Sequence, residues 1–182
     1  MRTDLWRASP AKDAAPPGRE PPPAAAAVTA LYQAHALGLI RLAHIMLGDP
    51  QGAEDVVQEA FCGLYRHWGR LSDPGNALRY VRSSVLNGCR SQLRRRTRRD
   101  RADQPEPGAS AEAALLSLEE RREVVRAVRR LPRRQREALV MRFYLDLPEA
   151  EIAAVMGISQ GTVRSATHRA LASLGRMLRE EP

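Results

Sequence analysis

The sequence predicts an all-α protein made of two small helical domains joined by a flexible linker. Three observations carry that expectation. Apolar residues recur every three or four positions along most of the chain, the repeat of a helix face. Alternating runs of β-branched and aromatic residues, the mark of strands, are missing. Two stretches poor in buriable residues and rich in proline, residues 1–27 and 100–116, divide the 182 residues into four parts. These are a Pro/Ala-rich tail (1–27), a first body (28–99), an acidic linker (100–116) and a second body (117–179). Each body has roughly 65 to 70 residues and buries only a modest core.

In the first body, a broadly apolar helix is expected from about Ala27 to Leu47. Asp49 and Pro50 read as N-cap and first helical residue of the next. Its apolar face comprises Ala53, Val56, Val57, Ala60, Phe61, Leu64, Tyr65 and Trp68. A loop from Leu71 ends in an Asn76 cap. A third helix then runs from Ala77 to about Arg99, with Leu78, Val81, Val85, Cys89 and Leu93 inward. In the second body Ser117 and Glu120 form a capping box, opening a helix with Leu118, Val125 and Val128 on its buried side. Leu131-Pro132 ends that helix and starts another, reaching about Leu145. Pro148 opens a short third helix to Met156. Ser159 caps a fourth, Gln160 to Leu178, with Val163, Thr167, Ala170, Leu171, Leu174 and Leu178 inward.

Charge narrows the function. The net charge is +8, and of 29 cations 28 are arginine, Lys12 being the one lysine. Guanidinium forks suit phosphates and guanine edges, although a GC-rich coding sequence also favours arginine. The subtotals are +1 for 1–27, +6 for 28–99, −3 for 100–116 and +4 for 117–179 with its last residues. Two basic bodies therefore flank an acidic tether, and a polyanion partner is expected. No apolar run reaches the ~20 residues of a membrane span, and the first dozen residues lack a secretory signal's apolar centre. Two cysteines make no disulfide framework. A cytoplasmic protein without a membrane role is expected.

The strongest motif is Ile152 to Val163. A helix-turn-helix needs a small residue where its helices meet (Ala153), a left-handed turn (Gly157) and apolar locks (Ile152, Met156, Ile158, Val163), all present at the right offsets. The helix from Ser159 is then the recognition helix, presenting Gln160, Arg164, Ser165, His168 and Arg169 to a major groove. Arg164 and Arg169 can meet guanine or grip the backbone. A second signal is seven arginines in twelve residues, Arg90, Arg94, Arg95, Arg96, Arg98, Arg99 and Arg101, a density that wants an anion. A third is the acidic patch Glu54, Asp55, Gln58 and Glu59 in a basic protein. It would repel DNA and suits a basic protein partner. Catalysis finds no support: Cys62, Cys89 and His67 lack further ligands at metal spacing, and no phosphate loop or triad is present. No cofactor, metal or catalytic residue is expected.

These residues resemble a sigma-70 family RNA polymerase sigma factor of the extracytoplasmic-function (ECF) type, with the SigE-like actinobacterial subgroup most similar in pattern. Leu47-Gly48-Asp49 through Phe61 looks like region 2, and Tyr80-Val81-Arg82 with Asn87 and the following arginines like its promoter-melting helix. Leu131 to Ala138 and Gly161-Thr162-Val163-Arg164-Ser165 resemble region 4. The resemblance implies that Asp55, Gln58 and Glu59 dock on the β′ clamp helices of core RNA polymerase, whose β subunit is also a partner. It implies that Leu71, Asn76, Arg79, Tyr80, Arg82, Asn87, Arg90 and Arg94 capture the minus-10 element. The minus-35 element falls to Ser159, Gln160, Thr162, Arg164, Ser165, His168 and Arg169. The free chain is expected to be a monomer, and its paired small domains are open to clamping by an anti-sigma factor. Ala166-Thr167 replace a basic-then-aliphatic pair common in the family, and only Trp68 and Tyr80 offer rings for base stacking near the melting loop. The alternative is a stand-alone helix-turn-helix transcriptional regulator, which would bind a palindromic operator by itself, usually as a dimer.

Overall fold

The computed structural model describes residues 24–99 and 117–180; the linker and nearly all of the tail lie outside them. The described residues form seven α-helices and two short 3-10 turns, without a strand. Helices α1 (Ala24–Leu47), α2 (Pro50–His67) and α3 (Ala77–Arg99) make the first unit. Helices α4 (Ser117–Arg130), α5 (Arg133–Phe143), α6 (Glu149–Met156) and α7 (Gln160–Glu180) make the second. Helix α1 starts three residues earlier than the sequence suggests, within an alanine run that the tail was expected to include. Alanine has the highest helix propensity, so it extends a helix once tertiary packing has nucleated it.

The first unit closes around Leu39, Met46, Val57, Leu64, Val81, Val85, Leu86 and Cys89, all nearly or fully buried. Tyr32 packs edge-on to Phe61 with ring centroids 5.0 Å apart. Three sequence expectations change here. Tyr65 is exposed, its place on the helix lying at the edge of the apolar stripe, and Leu78 is only half-buried while Leu86 is buried. Asp49 stands at the N-cap of α2 without a capping hydrogen bond, because its carboxylate takes Arg96 of α3 instead. The turn before α3 is capped by Asp73, which accepts from the Gly75 N–H at 2.8 Å, while the Asn76 amide donates to the same carboxylate.

In the second unit Ala138, Met141, Ile152, Val163 and Ala170 form the centre. Along α7 the buried residues are Val163, Ala166, Ala170 and Leu174; Thr167 is half-buried, and Leu171 and Leu178 are exposed. The buried stripe therefore runs through Ala166, Ala170 and Leu174 at intervals of four, which leaves Leu171 and Leu178 to one side of it. The two units also pack together. The Ser83 hydroxyl donates to the Val155 carbonyl at 3.3 Å. Arg129 at the end of α4 donates to the His44 and Ile45 carbonyls in the last turn of α1, where the helix dipole favours a cation.

Candidate nucleic-acid and polymerase interfaces

The helix-turn-helix forms as its residues require. Gly157 ends α6 at φ 68°, ψ 40°, a left-handed conformation that other residues adopt only at a cost. The chain can then turn at once into α7, one of whose free first-turn N–H groups is capped: Ser159 Oγ accepts from the Thr162 N–H at 3.2 Å. Ile152 and Val163 are fully buried between the two helices, and Ala153 at 8% exposure lets them approach. Ser159, Gln160, Thr162, Arg164, Ser165, His168 and Arg169 are all exposed on one end of the unit. Their employment differs. Ser159 and Thr162 are engaged in the cap, their hydroxyls 2.9 Å apart, and Ser165 donates to the Gly161 carbonyl. Arg169 donates to the Ser165 carbonyl. Arg164 is held by Glu149 of α6 at 2.9 Å, and that hydrogen bond keeps the Glu149 carboxyl below the usual carboxylate range.

On the first unit, α3 carries a row of basic and amide side chains. Arg79, Asn87 and Arg94 are exposed, whereas Leu71, Asn76, Tyr80, Arg82 and Arg90 are half-buried. Trp68 packs against the core and leaves only part of its ring accessible. Two of the arginines have partners that the sequence did not signal. Arg90 makes a two-pronged contact with Glu137 of α5, at 2.8 and 2.6 Å, and Arg82 reaches Glu151 of α6 at 2.7 Å. The hydrogen bond to Glu137 raises the Arg90 pKa. Glu137 is the buried charged residue of the core, at 1% exposure. Its sequence signal was an acid set directly before the apolar run Ala138 to Met141.

The opposite side of α2 is acidic. Glu54, Asp55, Gln58 and Glu59 are exposed along it; Gln51 donates to Asp55 at 3.3 Å, and Arg66 pairs with Glu59. Between this edge and α3 runs an open groove lined by Glu59, His67, Tyr80, Asn87 and Arg95 among others. The described residues hold no cluster of His, Cys, Asp and Glu able to bind a metal, and no helix there is long and apolar enough to cross a membrane. Cys62 is exposed and Cys89 buried, both free.

A helix-turn-helix with an open basic reading face, in one chain with a second basic helical unit bearing an acidic edge, defines a DNA-binding transcription factor. Comparison with known proteins makes this specific. Residues 31–99 match Sigma-70 region 2, and residues 121–174 match Sigma-70, region 4. The RNA polymerase sigma-E factor of Streptomyces avermitilis is 31% identical over 136 residues, which is 75% of this chain and 76% of that protein. The ECF RNA polymerase sigma factor SigL of Mycobacterium tuberculosis is 33% identical over 168 residues, 86% of this chain and 91% of that one. Among solved structures, the sigma factor RpoE in complex with the anti-sigma factor NepR from Bartonella quintana superposes with a TM-score of 0.68. It is 23% identical and covers 85% of this chain and 99% of that chain. CnrH in complex with the cytosolic domain of CnrY gives 0.66 at 24% identity, covering 87% and 96%; both share the fold. The chain belongs to the sigma-70 family, as an ECF-type RNA polymerase sigma factor. It directs transcription initiation. The stand-alone regulator is thereby set aside, because region 2 accounts for the first unit.

Proposed function

We propose that the two units divide promoter recognition between them, and that the chain has no catalysis of its own. The observation that carries this reading is the separation of charge on the first unit. Asp55, Gln58 and Glu59 line an exposed acidic edge of α2, while α3 presents arginines and Asn87. The acidic edge would repel DNA and complements the basic clamp helices of the polymerase β′ subunit. The face of α3 with Leu71, Asn76, Arg79, Tyr80, Arg82, Asn87, Arg90 and Arg94 takes the minus-10 element as single strand. Flipping a base out of the duplex costs a few kcal/mol, offset by phosphate contacts and by polymerase binding. On α7, Arg164, His168 and Arg169 reach the minus-35 duplex, with Gln160 beside them. Ser159, Thr162 and Ser165 act there chiefly by fixing the first turn, whose free N–H groups suit a phosphate. The chain works in the cytoplasm with core polymerase. The anti-sigma complexes of RpoE and CnrH support an anti-sigma factor as a further partner.

Paired variants test the division. Gln58→Ala with Glu59→Ala is expected to lower affinity for core polymerase at least tenfold while helicity and duplex binding by the second unit persist. Arg164→Ala is expected to weaken minus-35 binding, by about 1–3 kcal/mol if it reads a guanine, with core affinity intact. Equal loss of both activities in either variant contradicts the assignment.

A further inference from the structure

Arg164 and Glu149 stand on either side of the helix-turn-helix angle, and each is fixed by a buried neighbour. Arg164 directly follows Val163, and Glu149 stands three residues before Ile152, both apolar side chains being fully buried. Glu149 lies in the first turn of α6, where the helix dipole favours an acid. It takes one edge of the guanidinium with both oxygens, Nε donating to Oε1 at 3.4 Å and Nη2 to Oε2 at 2.9 Å. A planar guanidinium has a second edge, Nη1 with the outer Nη2 proton, which this contact leaves for another bidentate partner. Two parallel donors of that spacing are what guanine O6 and N7 accept in the major groove. The pair adds little to folding, since the arginine side chain is 74% exposed and that of the glutamate 33%, and an exposed ion pair is weak. What it supplies is direction. Arg169 differs, because its Nε donates to the Ser165 carbonyl of its own helix.

We propose that Glu149 is a positioning residue for promoter readout, holding Arg164 by its side edge so that the end edge meets a guanine of the minus-35 element. This rests on α7 reading that element, and it decides which arginine meets a base. An unheld arginine loses rotamer freedom on docking, and any nearby phosphate satisfies its charge without regard to sequence. A carboxylate on the side edge offsets both effects. It restricts the side chain before DNA arrives, and it cancels much of the charge that would otherwise draw the guanidinium to the backbone. Arg142 of α5 also attracts the Glu149 carboxylate, though less than Arg164 does, so the acid stays ionised beside the DNA. Glu149 thus acts through Arg164 and touches no base itself.

The test reconstitutes the full chain with core polymerase and binds it to a promoter pool randomised over the minus-35 element, sequenced before and after selection. In the unmutated chain one position is expected to favour guanine over each other base by about tenfold or more, the discrimination of a good bidentate pair. Arg164→Ala is expected to flatten that position. Glu149→Ala, with every arginine kept, is expected to lower the preference at the same position by roughly fivefold or more, while preferences elsewhere in the element persist. Glu149→Gln, whose side chain still accepts one of the two hydrogen bonds, is expected to fall between. Asp146→Asn removes the same charge from a side chain that is 99% exposed, at a φ of 51° that asparagine tolerates; every preference is expected to stay unchanged. Adding Glu149→Ala to Arg164→Ala is expected to change no preference further, the two side chains acting as one unit. A loss or gain spread evenly over the element in Glu149→Ala overturns the proposal, because it marks a structural role or simple charge repulsion. So does a further change of preference in the double variant, which would put the carboxylate on a base, or a shift in Asp146→Asn equal to that in Glu149→Ala. A position flattened by Arg164→Ala but untouched by Glu149→Ala overturns the proposal and leaves the minus-35 reading standing. If Arg164→Ala flattens no position, that reading of Arg164 fails and the proposal fails with it.

Discussion

Gly88 of α3 lies so close to α2 that a Cβ at this position would stand 2.7 Å from Val56 Cγ1. Val56 is β-branched and stiff at χ1, so it cannot swing aside without moving its backbone. Gly88→Ala is therefore expected to destabilise the chain by about 1–3 kcal/mol through overpacking, less a gain of about 1 kcal/mol from helix propensity. Urea unfolding measures the balance. Val56→Ala in the same chain should relieve the clash, so the double variant loses less than the two single losses combined; strict additivity would show that the approach is not tight.

A Cβ on Gly157 meets nothing within 4 Å, so its cost is purely one of backbone conformation. Gly157→Ala is expected to cost about 1–2 kcal/mol and to weaken minus-35 binding with it, by tilting α7. Gly157→Asn should restore much of the stability, because asparagine tolerates the left-handed region. Thermal melts of the two variants, side by side, decide this; equal Tm values for alanine and asparagine would contradict it.

His44 links α1 to α4 and carries a pH dependence. Burial is the first cause of its lowered pKa and the Arg129 charge the second, with Asp49 opposing both; Asp49 is itself paired with Arg96. Arg129 Nη2 stands 3.4 Å from His44 Nε2, an arrangement that suits only a neutral ring accepting at that nitrogen. The unfolded chain takes up the proton first on acidification. Stability from neutral His44 is thus complete above the unfolded value of about 6.5 and drains away as pH falls towards the folded value. The Tm is expected to drop between pH 7.5 and pH 5.5 in the unmutated chain, and by less in His44→Gln. Parallel profiles would remove His44 from the contact.

Cys89 is fully buried on α3, and burial first, then the charge of Glu137 on α5, pushes its thiol up to about 12. Alkylation of the native chain at pH 8 is expected to modify Cys62 alone, with Cys89 reacting only after denaturation. Cys89→Ser places a hydroxyl in an apolar site and should lower stability by about 1–3 kcal/mol, while Cys62→Ser remains neutral. Both variants are expected to support transcription, which a redox-sensing role would not allow.

The helices and the reading end of α7 were legible because local rules and tertiary packing agree there. Gly157, Ser159 and the apolar residues around them each demand the same turn, and the polar side chains of α7 have only one outward face. The burial of α7 was less legible: Leu171 and Leu178 have the right chemistry for a core, yet the inward stripe runs through Ala166, Ala170 and Leu174 and leaves them exposed. Asp73 rather than Asn76 caps the turn before α3 because Pro74 sets the backbone that brings the Gly75 N–H to it. The contact of Arg90 with Glu137 was hidden for a physical reason. A basic helix suits water, phosphate or a carboxylate equally well, and forty-seven positions separate the pair, beyond the reach of periodicity. Glu137 offered the one trace, an acid beside an apolar run.

The central claim is that the chain gives core polymerase its promoter choice. In-vitro transcription from a pool of randomised promoters, with core enzyme in the presence and absence of the purified chain, tests it most directly. Transcripts that arise only with the chain, from promoters sharing two elements at a fixed spacing, are the predicted result. A pool left untranscribed, together with a sequence-specific shift of duplex DNA by the chain alone, would contradict it.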